Sequence, residues 1–411
     1  MATATAASKP AVRPSILVIL ITAAVLLNYV DRGAIGVAAP LMKEELALSA
    51  TAFGVAVSAF FWVYAPVQLV IGWLCDRLCV YRLFGLGLAI WALSTTLTSL
   101  VSGMAMLILL RLFLGLGESV AFPGASKMII RHVPNRRLGL ANAGLAAAIA
   151  IGPALGTMVG AHIMETWGWR AMFAAFGLFT LLWLVPWYGA VRPVTRDRFT
   201  ARTAPPFPAG KLLGQRALWA MAAGHFAGNY GMYFLLTWLP LYLVKSRGFS
   251  IEHMAVLATT LYVAQAVSAV FWGWLSDTLI DRGLTEAFVR KAMLTLSQVA
   301  SAVCVLGIFW APSEPALIAW LVGWGLAFSM GAPNLWATAQ ILAGRRAVGS
   351  WTGIQNCVGN LAGILGPPIT GLIIDTSGSY MAAFALAAAV TGAGALAFGV
   401  ALPRIRPLGI E

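Results

Sequence analysis

Runs of about 20 apolar residues recur along the whole chain, and each is long enough to cross the hydrocarbon core of a bilayer as an α-helix. Of the 411 residues, 60% are hydrophobic and only 10% are charged, a composition that a soluble domain does not have. The pattern therefore predicts an all-α membrane protein with twelve transmembrane helices. The predicted spans are 15–38, 52–75, 83–101, 104–126, 138–161, 171–191, 217–244, 254–275, 291–310, 315–338, 349–373 and 380–402.

Basic residues are concentrated in alternate connections between these spans. If the N-terminus is cytoplasmic, 21 of the 27 Lys and Arg residues lie in inside segments and four lie in outside segments. This bias follows the positive-inside rule and predicts that both termini are cytoplasmic. The net charge of +13 is then a topology signal, and we predict no nucleic-acid partner.

The two halves of the chain repeat each other. GWLCDR at 72–77 recurs as GWLSDT at 273–278, and Gly-Pro at 152–153 recurs at 366–367. Residues 192–216 are rich in Arg and Pro and read as a cytoplasmic linker between two pseudo-symmetric six-helix bundles, 1–191 and 217–411. Duplicated halves with a site between them are typical of transporters.

Charged residues occur inside two predicted spans. Span 1 holds Asp31 and Arg32, and span 4 holds Arg111 and Glu118, with Gly115 between them on the same helical face. A charge at the bilayer centre costs roughly 2.5–3.5 kcal/mol, so the four groups are expected to face each other or a water-filled cavity. We expect Gly115 to leave space on that face. The alternative is that the charges form two structural ion pairs locking spans 1 and 4 together.

Several motifs resemble one transporter family. The pattern G-x-x-x-D-R at Gly72, Asp76 and Arg77 resembles the signature of the major facilitator superfamily, and the second half keeps Gly273 and Asp277. More narrowly, the chain looks like the anion:cation symporter family, which includes bacterial galactonate, glucarate and phthalate carriers and animal sialin. The segments that carry this likeness are NYVDR (28–32), SAFFWVYAPVQLVIGWLCDR (58–77), RLFLGLGESVAFPG (111–124), TWLPLYL (237–243) and GNLAGILGPPITG (359–371).

The resemblance implies roles for the charged residues. In similar proteins the acids that match Asp31 and Glu118 take part in proton coupling, and the bases that match Arg32 and Arg111 hold the substrate anion. An arginine offers a planar fork of donors that fits a carboxylate. The predicted cavity-lining residues are Tyr29, Tyr64, Asn229, Tyr233, Trp336 and Asn356. For each of these six, a helix-to-helix hydrogen bond is an equally open interpretation.

Two further predictions concern the inner turn and span 5. Gly72, Asp76, Arg77 and Asp277 are predicted to form an inner gate that does not touch the substrate. Span 5 has no polar side chain between Asn142 and residue 157. An apolar wall makes no demand for substrate hydroxyls, so it predicts a substrate less hydroxylated than a sugar acid, such as a small or aromatic carboxylate.

Together these observations predict proton-coupled symport of an organic anion, a carboxylate or sugar acid, into the cell by alternating access. The predicted setting is the lipid bilayer of a bacterial inner membrane, with a monomeric protein and no cofactor or metal. An organic-anion exchanger, a uniporter, and a drug:proton antiporter of the same fold stay open as alternatives, the last because GPALG at 152–156 resembles an exporter motif. The sequence has no nucleophile motif, phosphate loop or metal-ligand cluster, so an enzyme is not predicted.

Overall fold

The computed structural model describes residues 12–48, 50–196, 209–377 and 379–407, and these residues form helices and short connections without any strand. The helices are α1 (Pro14–Glu45), α2 (Ala50–Arg77), α3 (Val80–Thr98), α4 (Met104–Glu118), α5 (Ala121–His132), α6 (Leu138–Arg196), α7 (Ala209–Leu213), α8 (Arg216–Lys245), α9 (Ile251–Asp281), α10 (Glu286–Trp310), α11 (Glu314–Ser377) and α12 (Tyr380–Leu396). A 3-10 turn (Asn135–Arg137) precedes α6, and a π-helical turn (Ala397–Ala401) follows α12.

Two of these helices are too long to be single spans. The 59-residue α6 contains Gly168 at φ 78°, and the 64-residue α11 contains Gly344 at φ 60°. Only glycine adopts such left-handed conformations at little cost, so each helix changes direction there and supplies two spans. Within the described residues nine segments are apolar and long enough to cross a bilayer, and one of them, Glu314–Gly366, holds two spans. With α8 and α9, which have 30 and 31 residues, the twelve predicted transmembrane helices are confirmed.

Span 4 extends further than the sequence predicted. The chain from residue 127 onward was expected to be an inner loop, but α5 continues as a helix to His132 after a break at Ser119 and Val120. The residues beyond the predicted end of the span are buried, namely Met128, Ile129 and Ile130. Their packing stabilises the helix there. Lys127 consequently lies inside a helix with 1% of its surface exposed.

The predicted linker is only partly described. Residues 197–208 lie outside the described residues, α6 runs to Arg196, and the short α7 falls within the predicted linker. The boundaries of the two six-helix units at residues 191 and 217 therefore stay predictions.

Glycines bring the first half of the chain against the second half at one end of the bundle. We call this the inner end, following the predicted topology: it is the end at which α1 begins and α2 ends. A Cβ on Gly72 of α2 would lie 2.5 Å from the carbonyl oxygen of Gly349 in α11. A Cβ on Gly139 of α6 would lie 2.8 Å from the carbonyl oxygen of Gly273 in α9. Helices approach this closely only where there is no side chain, so these two crossings close the inner end.

Candidate functional site

Span 1 and span 4 are joined by an ion pair between Arg32 and Glu118. The Nε and Nη2 atoms of Arg32 donate to the same carboxylate oxygen, Oε2 of Glu118, at 3.1 and 2.8 Å. The Glu118 side chain is fully buried, whereas 18% of the Arg32 side chain is exposed. The pair thus joins a fully buried acid to a partly exposed base.

Aromatic rings surround the Arg32 guanidinium. Its carbon lies 4.7 Å from the ring centre of Tyr29, 4.9 Å from Phe60 and 4.8 Å from Tyr64. The Arg111 guanidinium lies 5.2 Å from the same Phe60 ring, so the two predicted anion-binding bases share one aromatic neighbour. These rings attract cations through their π faces and hold both guanidinium groups in place.

Gly115 allows this arrangement in a way that the sequence did not indicate. The space that Gly115 leaves on the charged face is occupied by the backbone of α2, because a Cβ at Gly115 would lie 2.5 Å from the carbonyl oxygen of Phe60 in that helix. The close crossing brings the α2 aromatic residues next to the charged face of α4.

Asp31 points to a different neighbour. Its Oδ2 atom accepts hydrogen bonds from Trp91 Nε1 and Thr95 Oγ1 of α3, both at 3.0 Å, and the side chain is buried. Successive residues of a helix are about 100° apart around its axis, so Asp31 and Arg32 face different helices. The structure therefore brings Arg32 and Glu118 together as expected, and it holds Asp31 with two neutral donors.

A cavity between the two halves lies beside this cluster. All six predicted lining residues border it: Tyr29, Tyr64, Asn229, Tyr233, Trp336 and Asn356. Sequence reasoning missed a polar set on the second half, namely Gln265, Ser297, Gln298, Ser301 and Ser329, and an aromatic residue of α5, Phe122. None of the described lining residues is an Asp, Glu, Lys or Arg. A role of these residues in substrate binding remains a prediction.

Contacts between the halves close the cavity towards the inner end. Trp336 of α11 stacks on Phe122 of α5, with ring centres 4.9 Å apart and planes at 17°. Asn142 and Gln340 exchange two amide hydrogen bonds, at 2.9 and 3.1 Å, and both side chains are fully buried. Sequence reasoning could not find this amide pair, since its members are 198 residues apart and share no motif.

The predicted inner-gate residue Asp76 bonds to the other half of the chain. Its carboxylate accepts from the backbone N–H groups of Gly349 and Ser350, at 3.0 and 2.7 Å, and from Lys127 Nζ at 2.5 Å. The two N–H groups belong to the turn just after the Gly344 bend, where a helix N-terminus favours a negative charge. Arg77 lies outside this network, with its guanidinium 4.1 Å from the Trp73 ring centre.

Asp277, in the second half, makes the equivalent contacts with the first half. It accepts from the backbone N–H groups of Gly139 and Leu140, at 3.0 and 2.8 Å, at the start of α6. Arg290 lies 3.6 Å from it and also pairs with Glu286 at 3.0 Å. Each copy of the repeated motif thus caps a helix in the other half. Lys127 and Arg290, the buried bases of these networks, were missed because both were assigned to the basic segments that set topology.

The cysteines form no site in the described part of the chain. All four are free thiols, and no group of three His, Cys, Asp or Glu side chains among the described residues could hold a metal ion. Cys75 is buried at the inner end, where a Cβ on Gly349 would lie 2.9 Å from its Cβ.

Comparison with known proteins agrees with this architecture. The family model for the Major Facilitator Superfamily matches residues 21–364 and 248–409. The hexuronate transporter of Bacillus subtilis (strain 168) is 29% identical over 88% of this chain and 88% of its own length. The "Probable L-galactonate transporter" of Escherichia coli (strain K12) is 28% identical over 92% of this chain and 87% of its own length. The crystal structure of the human organic anion transporter MFSD10 (TETRAN) superposes with a TM-score of 0.73 at 16% identity, covering 95% of this chain and all of that one. The predicted family is thereby confirmed: this chain is a multi-pass membrane transporter that belongs to the Major Facilitator Superfamily.

Proposed function

We propose that the protein is a proton-coupled symporter that carries an organic anion into the cell by alternating access. The observation that carries this proposal is the ion pair between the buried Glu118 and the partly exposed Arg32, whose guanidinium contacts two residues that line the central cavity, Tyr29 and Tyr64. The relatives named for hexuronate and L-galactonate support an organic anion, a carboxylate or a sugar acid, as the substrate.

The ion pair couples anion binding to proton binding. Glu118 occupies two N–H groups of Arg32, so a substrate carboxylate has to compete with an internal carboxylate for the same fork. A proton on Glu118 removes the competing charge and frees the fork for the substrate. Anion and proton therefore favour each other's binding, and this linkage is reciprocal.

Arg111 and Asp31 complete the charge arrangement. Arg111 shares the Phe60 ring with Arg32 and supplies a second positive charge to a bound carboxylate. Asp31, held by Trp91 and Thr95, is the second proton carrier. The aromatic surroundings exclude water, which strengthens charge interactions within the cluster.

Alternating access follows from the two closed crossings at the inner end. Once the anion and the proton are bound, the two halves separate at the inner end. This separation breaks the Phe122–Trp336 stack, the Asn142–Gln340 pair and the contacts of Asp76 and Asp277 together. The protein works as a monomer in a bacterial inner membrane with cytoplasmic termini, an orientation that rests on the distribution of Lys and Arg.

The substitution Glu118→Gln tests the coupling in proteoliposomes. The glutamine keeps the shape of the side chain but cannot exchange a proton, so accumulation driven by a pH gradient should be lost while anion exchange across the membrane persists. The matched control is Glu45→Gln, which changes an exposed acid that pairs with Arg170 at 2.9 Å. If Glu118→Gln accumulates substrate at the normal rate, the protein couples to protons through another group. If the unaltered protein does not accumulate substrate under a pH gradient, it is an exchanger or a uniporter.

A further inference from the structure

The crossing of α2 and α11 at the inner end carries more positive than negative charge. Its acid, Asp76, is paired with Lys127 at 2.5 Å. Arg77 follows Asp76 on α2, and Arg345 and Arg346 lie at the bend of α11, all three of them exposed. Lys127 Nζ also donates to the carbonyl oxygen of Arg346 at 3.3 Å, which places that bend beside Asp76. Within the described part of the chain, none of the three arginines pairs with an Asp or Glu side chain.

The equivalent crossing of α6 and α9 has more acids. Arg137 lies 3.6 Å from Asp281, and Arg290 has two acidic neighbours at 3.6 and 3.0 Å. The first half has no counterpart of Asp281, because the position 201 residues earlier is Val80. The two crossings therefore share their backbone contacts but differ in charge, and the excess of arginine belongs to the α2–α11 crossing.

Arg77 lies beside an apolar surface of α2 that faces the bilayer. Its guanidinium is 4.1 Å from the ring centre of Trp73, one turn earlier on α2, so the side chain folds back towards the membrane. Trp73, Leu69 and Val70 are exposed and do not line the central cavity, so in a membrane they contact lipid. Leu69, Trp73 and Arg77 are spaced four residues apart and share one helical face. This face offers aliphatic, aromatic and basic groups in the order in which a phospholipid presents its acyl chains, interfacial region and phosphate.

We propose that the α2–α11 crossing binds the headgroup of an anionic phospholipid of the inner leaflet. The phosphate is held by Arg77 of the first half together with Arg345 and Arg346 of the second half, and the acyl chains lie along Leu69 and Val70. The lipid neutralises positive charges that would otherwise repel each other where the two halves close. It therefore joins the halves and stabilises the closed inner end. The site is separate from the central cavity and does not depend on the substrate or on proton coupling.

The repeat in the chain provides an internal comparison for this site. Trp274 occupies the position equivalent to Trp73, 201 residues later, and it is also exposed. The residue that follows it by one turn is Thr278, where the first half has Arg77. An uncharged side chain does not attract a phosphate, so one headgroup site is expected, at the α2–α11 crossing.

Native mass spectrometry of the purified full-length protein measures lipid binding directly. The probes are phosphatidylglycerol and phosphatidylcholine with identical acyl chains, of which only the first carries a net negative charge. Phosphatidylglycerol should bind at least about tenfold more tightly than phosphatidylcholine. Glycerol 3-phosphate, which carries the phosphate without acyl chains, should not displace it at an equal concentration.

Two results of this titration would overturn the inference. Equal affinity for the two lipids would show that the crossing does not recognise an anionic headgroup. Displacement by an equal concentration of glycerol 3-phosphate would identify a site for a soluble phosphate and contradict the assignment to a lipid. Neither result bears on the proposed transport of an organic anion, which is measured by uptake.

Substitutions in each half test the residues that hold the phosphate. Arg77→Gln should lower the affinity for phosphatidylglycerol about tenfold and leave the affinity for phosphatidylcholine unchanged. The matched control is Arg282→Gln, which removes an exposed arginine at the end of α9 and should keep the preference. A preference for phosphatidylglycerol that survives Arg77→Gln would contradict the assignment.

The arginines of the second half need a double substitution. Arg345→Gln with Arg346→Gln should reduce the affinity for phosphatidylglycerol as Arg77→Gln does, although α2 is unchanged. The matched control removes two other exposed inner-end charges, Arg404→Gln with Arg406→Gln. Equal losses in the two double variants would show a general effect of charge and overturn the site.

The joining of the two halves is tested with Cys75, which is buried at this crossing beside Gly349. In a variant whose other three cysteines are replaced by serine, Cys75 should react with a maleimide several-fold more slowly in nanodiscs of phosphatidylglycerol than in nanodiscs of phosphatidylcholine. The difference should disappear when Arg77→Gln is added. Equal rates in the two bilayers before that change would contradict the stabilisation of the closed inner end.

Discussion

At the scale of single residues, the structure explains why an arginine stands at position 32. Its guanidinium contacts three aromatic rings and sends two N–H groups to one oxygen of Glu118. A planar group can stack on rings and bond in its own plane at the same time, which the compact ammonium of lysine cannot do. The geometry of this residue, and not only its charge, is matched to its surroundings.

The substitution Arg32→Lys should weaken substrate binding by about tenfold or more, although the charge is kept. The loss comes from the missing planar fork of donors and from weaker contact with Tyr29, Phe60 and Tyr64. Calorimetry with an organic acid that the unaltered protein binds measures the effect, with Arg282→Lys at the exposed end of α9 as control. An unchanged dissociation constant would leave Arg32 as a structural ion.

The same ion pair predicts how binding depends on pH. Glu118 competes for Arg32 only as a carboxylate, and its protonation becomes more frequent as pH falls. Substrate affinity should therefore rise as pH is lowered, until the substrate carboxylate itself becomes protonated. Binding measured across a pH series would check this, and the dependence should flatten in Glu118→Gln. Affinity that is independent of pH in the unaltered protein would contradict the coupling.

At the scale of helices, small residues and amides decide how the two halves meet. Gly72 and Gly349 let α2 and α11 touch through their backbones, and Cys75 is buried beside that crossing. Nearer the cavity, Asn142 and Gln340 bond reciprocally across the halves with both side chains fully buried. The inner end is therefore closed by two kinds of contact. One is the hydrogen-bonded amide pair near the cavity, and the other is the backbone contact between α2 and α11.

The amide pair provides a test of this closure. Gln340→Leu removes both hydrogen bonds between Gln340 and the buried amide of Asn142. The loss destabilises the closed arrangement by about 1–3 kcal/mol. The inner end should open more often, and Cys75 should react faster with a maleimide in a variant whose other three cysteines are replaced by serine. The double substitution Asn142→Leu with Gln340→Leu removes both polar groups and should restore slower labelling. Identical rates in all three proteins would show that the pair does not hold the inner end closed.

At the scale of the whole molecule, the duplication appears as two equivalent crossings. Asp76 of the first half caps the helix that follows Gly344, and Asp277 of the second half caps the start of α6. The two aspartates differ in the basic residue that each one pairs with. Lys127, with 1% of its side chain exposed, is paired with Asp76, whereas Arg290 also has Glu286 and Asn334.

This difference predicts unequal effects of the same substitution. Asp76→Asn leaves Lys127 as a buried charge without its carboxylate, a loss of about 3–5 kcal/mol, and so should open the inner end more than Asp277→Asn does. Spin labels at positions 78 and 345, on a background without native cysteines, report the separation of α2 and α11 as a distance distribution. A larger shift in Asp277→Asn would contradict the assignment of Lys127 to Asp76.

The sequence by itself determined the membrane class, the twelve spans and the family. A bilayer forces each span to be about 20 apolar residues long, and it makes charged residues within spans conspicuous, so Asp31, Arg32, Arg111 and Glu118 stand out without any structure. The repeated GWLCDR and GWLSDT segments likewise pointed to the inner ends of α2 and α9.

Only the tertiary structure decided which groups meet. It paired Arg32 with Glu118, turned Asp31 towards Trp91, and joined Asn142 to Gln340. It also directed one amide hydrogen of Asn229 and one of Gln298 towards backbone carbonyls. The physical reason is that helix periodicity fixes which residues share a face, whereas the rotation and approach of one helix against another depend on contacts between residues far apart in the chain, such as Gly115 against the backbone of Phe60.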